Sequence, residues 1–523
     1  MTFVNLYELA VDLVLHNVEG LTKSSQENPP TMPYQNPRHL GRLVIIRQVQ
    51  DAFATLHSRE VAGAKKLRIV DGDESTAMYQ TDEIGADNGL GDVYNFPFLF
   101  RATGEPWYEA NDYLFSLIRH YRPEKRPTDE LRRCASKLLD YLLFCEDNNF
   151  DWLDFSGGRP SLRPTYKYFY RLINEGSRSN AVINQYTAVV YQFYKYVSEN
   201  WHALDMKRVD TTKQVQLLIR GSKGVKIKDV EKRSQTQPAP PTSPVQLGFV
   251  REEGEDLRPL SNFELGTLLD TIKDEKEWST VERLILMTAL MTGARKQTVL
   301  TIRLKHLRGF SEDKLLPEGA YKVHAGPHTG LDTKLDKSQV LYFPKQLAGE
   351  LVTLASSPMM KKRRAKLRIH LETALPGLSM SEEDMYLFIS DQGNTYYMAR
   401  DDPRYLSQLS PQAGQVTETI KKKLIKKACG AFPIDFSYHW LRATYALQLY
   451  QRLQPLVHKG VLKPGEEIDF IQRRMHHEDR KTTENYLKLF KMTQEKVVAQ
   501  EIWENRLFSN SGYDTLKLET DDE

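Results

Sequence analysis

Cysteine is scarce in this chain. Cys134, Cys145 and Cys429 are the only three in 523 residues; they cannot build a disulfide framework and stand at no metal-ligand spacing. They fit a reduced, intracellular compartment in which thiols serve as small buried apolar groups. No run of about eighteen apolar residues occurs, so no membrane-spanning helix is expected. The start, Met1-Thr2-Phe3-Val4-Asn5, lacks a basic stretch and reaches acids at Glu8 and Asp12, which argues against a secretory signal. There is little excess charge of either sign. A net charge of +3 points by itself to no nucleic-acid partner. Internal repeats are missing too.

What is present is ordinary for a globular protein: 40% hydrophobic and 27% charged residues, in a length that suggests about three domains. The charge is clustered, however. Lys361 to Arg368 holds six cations and no acid, and Lys421 to Lys427 holds five and no acid, whereas the tail from Glu519 to Glu523 is acidic. Phosphate backbones are bound by such local clusters, although a solvated helix face is an equally good reading of each run.

Periodicity gives an outline. Residues 1–104 hold one amphipathic stretch at Val4, Leu6, Leu9, Leu13 and Leu15, a second helical candidate over Arg42 to Leu56, and a Gly/Asp/Thr-rich loop from Asp71 to Asp92; they carry no functional signal. Residues 105–205 read as a helical bundle. Its helices cover Tyr108 to Tyr121, Thr128 to about Asn148, Pro164 to Glu175 and Ser179 to Glu199. The stripe Ile183, Tyr186, Val190, Phe193, Tyr194 and Val197 reads as core rather than as a base-stacking surface. Residues 206–257 form a basic and Pro-rich linker. A second large domain, 258–492, opens on a capping box at Ser261 and Glu264 and has a helix over Val281 to Thr292 that stops at Gly293. Short alternating segments between Tyr321 and Pro344 predict a small antiparallel sheet, and the pattern after Lys345 is again helical. A last helix is expected over Leu487 to Leu507, within a 493–523 stretch that adds the acidic tail. The fold class is therefore mainly α with a small antiparallel β-sheet.

Four segments carry chemistry. In chain order they are Thr292-Gly293-Ala294-Arg295, then Ser437-Tyr438-His439-Trp440-Leu441-Arg442, then Met475-His476-His477, then Thr482-Thr483-Glu484-Asn485-Tyr486. Breaking a phosphodiester without metal needs the non-bridging oxygens neutralised, a nucleophile, and a proton for the leaving oxygen. An arginine fork binds phosphate oxygens bidentately and stays charged, which suits Arg295 and Arg442. His439 and Arg442 stand three apart and share one helix face. A tyrosine oxygen can hold the broken bond as a phosphotyrosine ester, so that resealing needs no ATP. Histidine can accept or relay a proton. Each segment alone is unremarkable; it is the four in one order that persuade.

That ordered set resembles the signature of the tyrosine recombinases, the phage-integrase family of site-specific DNA-rejoining enzymes, over about 260–490. The bundle at 105–205 is similar to that family's helical core DNA-binding domain, and the two domains imply a clamp around duplex DNA. The resemblance implies Arg295, Lys334, His439, Arg442, His477 and Tyr486 as catalytic residues. Lys334, with Lys337 in reserve, stands for the family's general-acid lysine on a β-hairpin. The resemblance further implies 3′-phosphotyrosine intermediates, no metal and no cofactor. The implied partners are double-stranded DNA, further copies of the chain in a homotetramer on two DNA sites, and accessory recombination proteins. It also implies a prokaryotic or phage-derived, nucleoid-associated protein of a mobile element. There are two departures. Thr298 stands where the family has an acid three residues after the first arginine, and His476 stands where it has glycine. A type IB topoisomerase and a non-catalytic DNA-binding partner of a recombinase remain the alternatives.

Overall fold

The computed structural model describes residues 41–49, 66–71, 74–79, 92–118, 128–221, 224–238, 245, 249–252, 254–377, 380–478 and 480–492. The expected first helix, the acidic tail and the last helix beyond Met492 lie outside the described residues. The chain is mainly α, with five two-stranded antiparallel pairs among the described residues. It divides into two compact units, one of residues 1–242 with Leu406–Leu409, the other of 243–405 with 410–523.

In the first unit, strands β1 (Leu43–Val49) and β4 (Val93–Leu99) pair antiparallel, as do β2 (Lys66–Asp71) and β3 (Glu74–Tyr79). The helical expectation over Arg42 to Leu56 is thereby corrected. Leu43-Val44-Ile45-Ile46 is a largely β-branched run, stiff at χ1, which gains more by pairing with 93–99 than by forming an isolated helical turn. Likewise Glu74–Tyr79, expected as loop, is a strand. Helices α1 (Tyr108–Ile118), α2 (Thr128–Asp147), α3 (Pro164–Asn174) and α4 (Asn180–Asn200) follow, with a short α5 at Met206–Val209. They share one core with β1 and β4, so the strands belong to the body of the bundle. That core is aromatic. Phe193 and Tyr194 are fully buried, and the Tyr141 and Tyr194 hydroxyls meet at 2.6 Å, which satisfies polar atoms that burial would otherwise penalise. Burial pushes the Cys134 and Cys145 thiols up to about 12. Cys429, in contrast, is exposed, so only two of the three thiols are buried. Within the stretch read as linker, β5 (Thr212–Gly221) and β6 (Gly224–Arg233) form a hairpin of two ten-residue strands. Its lysines obscured the alternation, because neither face is strongly apolar.

The second unit opens on a small hairpin, β7 (Val250–Glu252) with β8 (Glu255–Leu257), then α6 (Asn262–Ile272) and α7 (Thr280–Thr292). Both helices start on complete capping boxes, Ser261 with Glu264 and Ser279 with Glu282. Short α8 (Lys296–Leu300) and α9 (Leu304–Leu307) lead to β9 (Ala320–Ala325), paired with β10 (Gln339–Pro344). Helices α10 (Lys345–Ser356), α11 (Pro358–Ala374), α12 (Val416–Lys427), α13 (Trp440–His458), α14 (Glu466–Met475) and α15 (Arg480–Met492) complete it. The main core gathers α6, α7, the β9–β10 hairpin and α10 to α12; a separate cluster joins α13, α14 and α15.

The two basic runs sit on α11 and α12 and are largely spent within the unit. Arg364 is buried and holds Glu382 and the Ala355 carbonyl, Arg363 and Lys366 donate to the Ile389 and Asp391 carbonyls, and Arg368 reaches Glu382. Lys423 and Lys427 pair with Glu282 and Glu277. Lys361, Lys362, Lys422 and Lys426 stand exposed beside them.

Candidate functional site

The site is assembled where three of the four segments fold against each other. Apolar α7 ends at Gly293, whose φ of 66° is the left-handed conformation glycine tolerates best. A Cβ there would lie 2.5 Å from the Tyr445 ring on α13, so the residue must also be small. Thr292 Oγ1 accepts from Ala294 N–H and fixes the turn, and Arg295 follows as the extended residue before α8. His439 and Arg442 stand at the start of α13. The Arg442 guanidinium is buried and donates to the Gly293 carbonyl at 2.7 Å and to the Met475 carbonyl, so one arginine ties the first, second and third segments together. Tyr438, next to this pair, is structural: its hydroxyl donates to the Ile285 carbonyl at 2.8 Å, and burial pushes its pKa far up.

Arg295, Lys334, His439 and Arg442 line one cavity of about 290 Å³, together with Lys296, Glu255 and Glu418. Lys334 arrives from the loop between β9 and β10, which turns through positive φ at Leu335 and Asp336. Lys337 is not among the lining residues and pairs with Glu478 at 2.5 Å. Thr298, where the family has an acid, is buried and donates its hydroxyl to the Asp332 carbonyl at 2.8 Å, while Thr301 Oγ1 accepts from Asp332 N–H. It therefore braces the loop that carries Lys334. The Asp332 carboxyl is raised to about 6, burial outweighing its contacts with Arg400.

His476 and His477 are now distinguishable. His476 has φ 52° and caps α14 in the left-handed conformation, which explains why glycine suits that position. Its Nε2–H donates to the Val340 carbonyl at 3.0 Å, and its pKa falls to about 4, first through burial and then through Arg442, with Arg295 also contributing. His477 turns the other way. Its Nδ1 meets Thr483 Oγ1 at 3.0 Å, and its ring stacks on Tyr486 with centroids 5.4 Å apart. Both histidines line a second, larger cavity of about 900 Å³ beside Gln339, Arg473 and Arg474.

Tyr486 lines neither cavity. It lies on α15, 1% exposed, in the cluster of Val250, Ala443, Tyr445, Ala446, Tyr450, Ile471 and Met475. The structure thus brings four of the six sequence-derived site residues to one cavity, places His477 at its neighbour, and holds Tyr486 in the core. Glu255 was missed by sequence reading. The only signal was Gly254 between acids, a hairpin turn inside what read as linker. Among the described residues, no group of three or more His, Cys, Asp or Glu could hold a metal ion.

No family model and no curated protein matches the chain. It is similar to solved structures of two recombination proteins. The first is the Tn1549 transposon integrase: a tyrosine-to-phenylalanine variant in complex with transposon right end DNA is 13% identical, with a TM-score of 0.35 over 72% of this chain and 93% of that one. The same integrase with circular intermediate DNA gives 12% and 0.32 over 72% and 94%. The second, XerA recombinase, is 14% identical, with a TM-score of 0.24 over 76% and 98%.

Proposed function

We propose that the chain is a site-specific DNA recombinase of the tyrosine type, cutting and rejoining double-stranded DNA through a 3′-phosphotyrosine intermediate. The observation that carries this reading is the single cavity in which Arg295, Lys334, His439 and Arg442 meet from three distant parts of the sequence. A phosphate held there has an arginine on two sides, a lysine for the leaving oxygen and a histidine for the entering one. The Tyr486 oxygen attacks phosphorus and gives its proton to His439, the bond to the 5′-oxygen breaks, and that oxygen takes its proton from Lys334; the reverse reaction reseals the strand without ATP. A phenol of pKa about 10 attacks poorly unless the developing charge is stabilised, and this falls to the arginines. For this chemistry α15 must leave the core position it occupies here, carrying Tyr486 to the cavity. The reaction calls for two DNA sites and a tetramer of the chain.

Thr298 does not favour the non-catalytic alternative, because its hydroxyl has work of its own in bracing the Lys334 loop. The test is a nicked suicide duplex cut from the DNA flanking the gene. The unmodified protein should form a covalent adduct, mass spectrometry should place the nucleotide on the Tyr486 peptide, and Tyr486→Phe should form none. Adduct persisting in Tyr486→Phe would sink the assignment.

A further inference from the structure

The β7–β8 hairpin does more than join two parts of the chain. It is pinned to the second unit at several points. Leu257 is fully buried, Val250 packs in the cluster that holds Tyr486, and Trp440 Nε1–H donates to the Asp256 carbonyl at 3.3 Å. Just beyond, the Arg258 guanidinium lies 4.3 Å over the Trp440 ring, and Leu260 N–H donates to Thr444 Oγ1 at 2.9 Å. The contacts converge on the first turn of α13, the turn that bears His439 and Arg442.

Glu255 projects from this hairpin to the rim of the cavity. Its Oε2 lies 3.5 Å from His439 Nδ1 and 3.4 Å from Ser437 Oγ, and Ser437 Oγ in turn accepts from His439 N–H at 3.3 Å. The other charged groups lining the cavity with His439 are Arg295 and Lys296 from the turn after α7, Lys334 from the β9–β10 loop, Glu418 from α12 and Arg442 on α13 itself. Four cations thus oppose a positive imidazole, and Glu255 brings a carboxylate oxygen to 3.5 Å from its Nδ1.

We infer that Glu255 is a positioning residue for His439: its carboxylate, at ion-pair distance from Nδ1, favours the tautomer protonated there and leaves Nε2 as the nitrogen that takes the proton of the entering oxygen. In a neutral imidazole the hydrogen bond at one nitrogen decides which face is acid or base. Thr298, three residues after Arg295, carries no carboxylate and donates its hydroxyl to the Asp332 carbonyl. The linker hairpin supplies the carboxylate instead. The inference rests on the recombinase reading for its consequence in catalysis, but the pairing itself can be tested without DNA.

The experiment has two arms on the full chain. In the first, histidine is labelled with ¹³C and ¹⁵N, His439 is assigned by the signal lost in His439→Gln, and its titration is followed by NMR. The unmodified protein should show a protonated Nδ1 in the neutral form. Glu255→Gln should mix the tautomers and move the titration to lower pH by roughly half a unit, the size expected of an ion pair whose carboxylate is largely exposed. An unchanged tautomer and titration in Glu255→Gln, with an unchanged melting temperature, would overturn the inference. In the second arm, adduct formation on the nicked duplex is measured against pH. The limb governed by His439 should move to lower pH in Glu255→Gln, whether the neutral or the charged imidazole is the working form, and Glu255→Asp should restore part of the shift. A Glu255→Gln protein that forms adduct faster at every pH would show Glu255 to be an obstruction and overturn the positioning role. If the unmodified protein forms no adduct while the NMR arm behaves as expected, the recombinase reading falls and the pairing stands.

Discussion

Two lysines compete in the sequence for one role, three residues apart in Asp332-Thr333-Lys334-Leu335-Asp336-Lys337, and no periodicity separates them. Space separates them: Lys334 lines the cavity, and Lys337 pairs with Glu478. Lys334→Ala should slow cleavage of ordinary DNA about 10²–10⁴-fold, the usual worth of a general acid, and a 5′-bridging sulfur, which leaves without a proton, should restore most of the rate. Lys337→Ala should show neither effect; rescue of that variant instead would move the general acid to Lys337. The histidine pair was legible only in part. Nine-residue spacing to Tyr486 pointed to His477, but the left-handed cap at His476, within the field of Arg442, Arg295 and Arg474, is set by the fold. His476 has its folded pKa depressed to about 4 against 6.5 unfolded. The unfolded chain therefore binds more protons in that window, so stability present above pH 6.5 is lost as pH falls towards 4. The full span amounts to roughly 3 kcal/mol at most. His476→Gly removes the titration and the backbone strain together, and its melting temperature should fall less between pH 6.5 and 4 than that of the unmodified protein. Parallel curves would show that His476 does not carry the acid sensitivity.

At the scale of elements, helices with an apolar stripe and a cap were legible to within a few residues. α4 starts on Ser179, α6 on the Ser261–Glu264 box, and α7 stops at Gly293 as the spacing predicts. The failures are strands. β1 pairs with a strand about 50 residues on, which its own residues do not name, while β2–β3 and β5–β6 are local hairpins whose short or charged strands lack a clear two-residue period. The turn at Gly293 was read as a helix stop, yet its second constraint, the Tyr445 ring 2.5 Å from a would-be Cβ, belongs to an element 150 residues away. Gly293→Ala should therefore cost roughly 2 kcal/mol or more, from left-handed strain and crowding together. Thermal unfolding measures the loss. Because Arg442 holds the Gly293 carbonyl, binding of a short duplex should weaken in the same variant at temperatures where it is still folded. A variant as stable as the parent would mean that Tyr445 yields easily and that the turn is not a fixed point of the site.

For the whole molecule, the basic runs that first suggested DNA turn out to be poor guides. Six of their eleven cations are engaged by Glu282, Glu277, Glu382 and backbone carbonyls, Lys361, Lys362, Lys422 and Lys426 stand exposed beside them, and the cations that matter most converge on the cavity from separate segments. A net charge of +3 hides this, because convergence is a property of the fold. The first unit adds Lys213, Lys228 and Lys232, all exposed on the β5–β6 hairpin. If both units bind one duplex, as the clamp reading requires, phosphate contacts should be divided between them. Log K should then fall with log salt by about 0.9 for each phosphate neutralised, and the slope for the full chain should be steeper than for a 243–523 fragment, which keeps the β7–β8 hairpin and its buried Leu257. Lys213→Ala, Lys228→Ala and Lys232→Ala combined should flatten the slope of the full chain and leave the fragment's value as its lower bound. Fluorescence anisotropy with a short duplex between 50 and 200 mM salt covers a range in which a difference of several phosphates is plain. Equal slopes for the full chain and the fragment would mean that the first unit does not touch the backbone, and the clamp would have to be abandoned while the cavity chemistry stood.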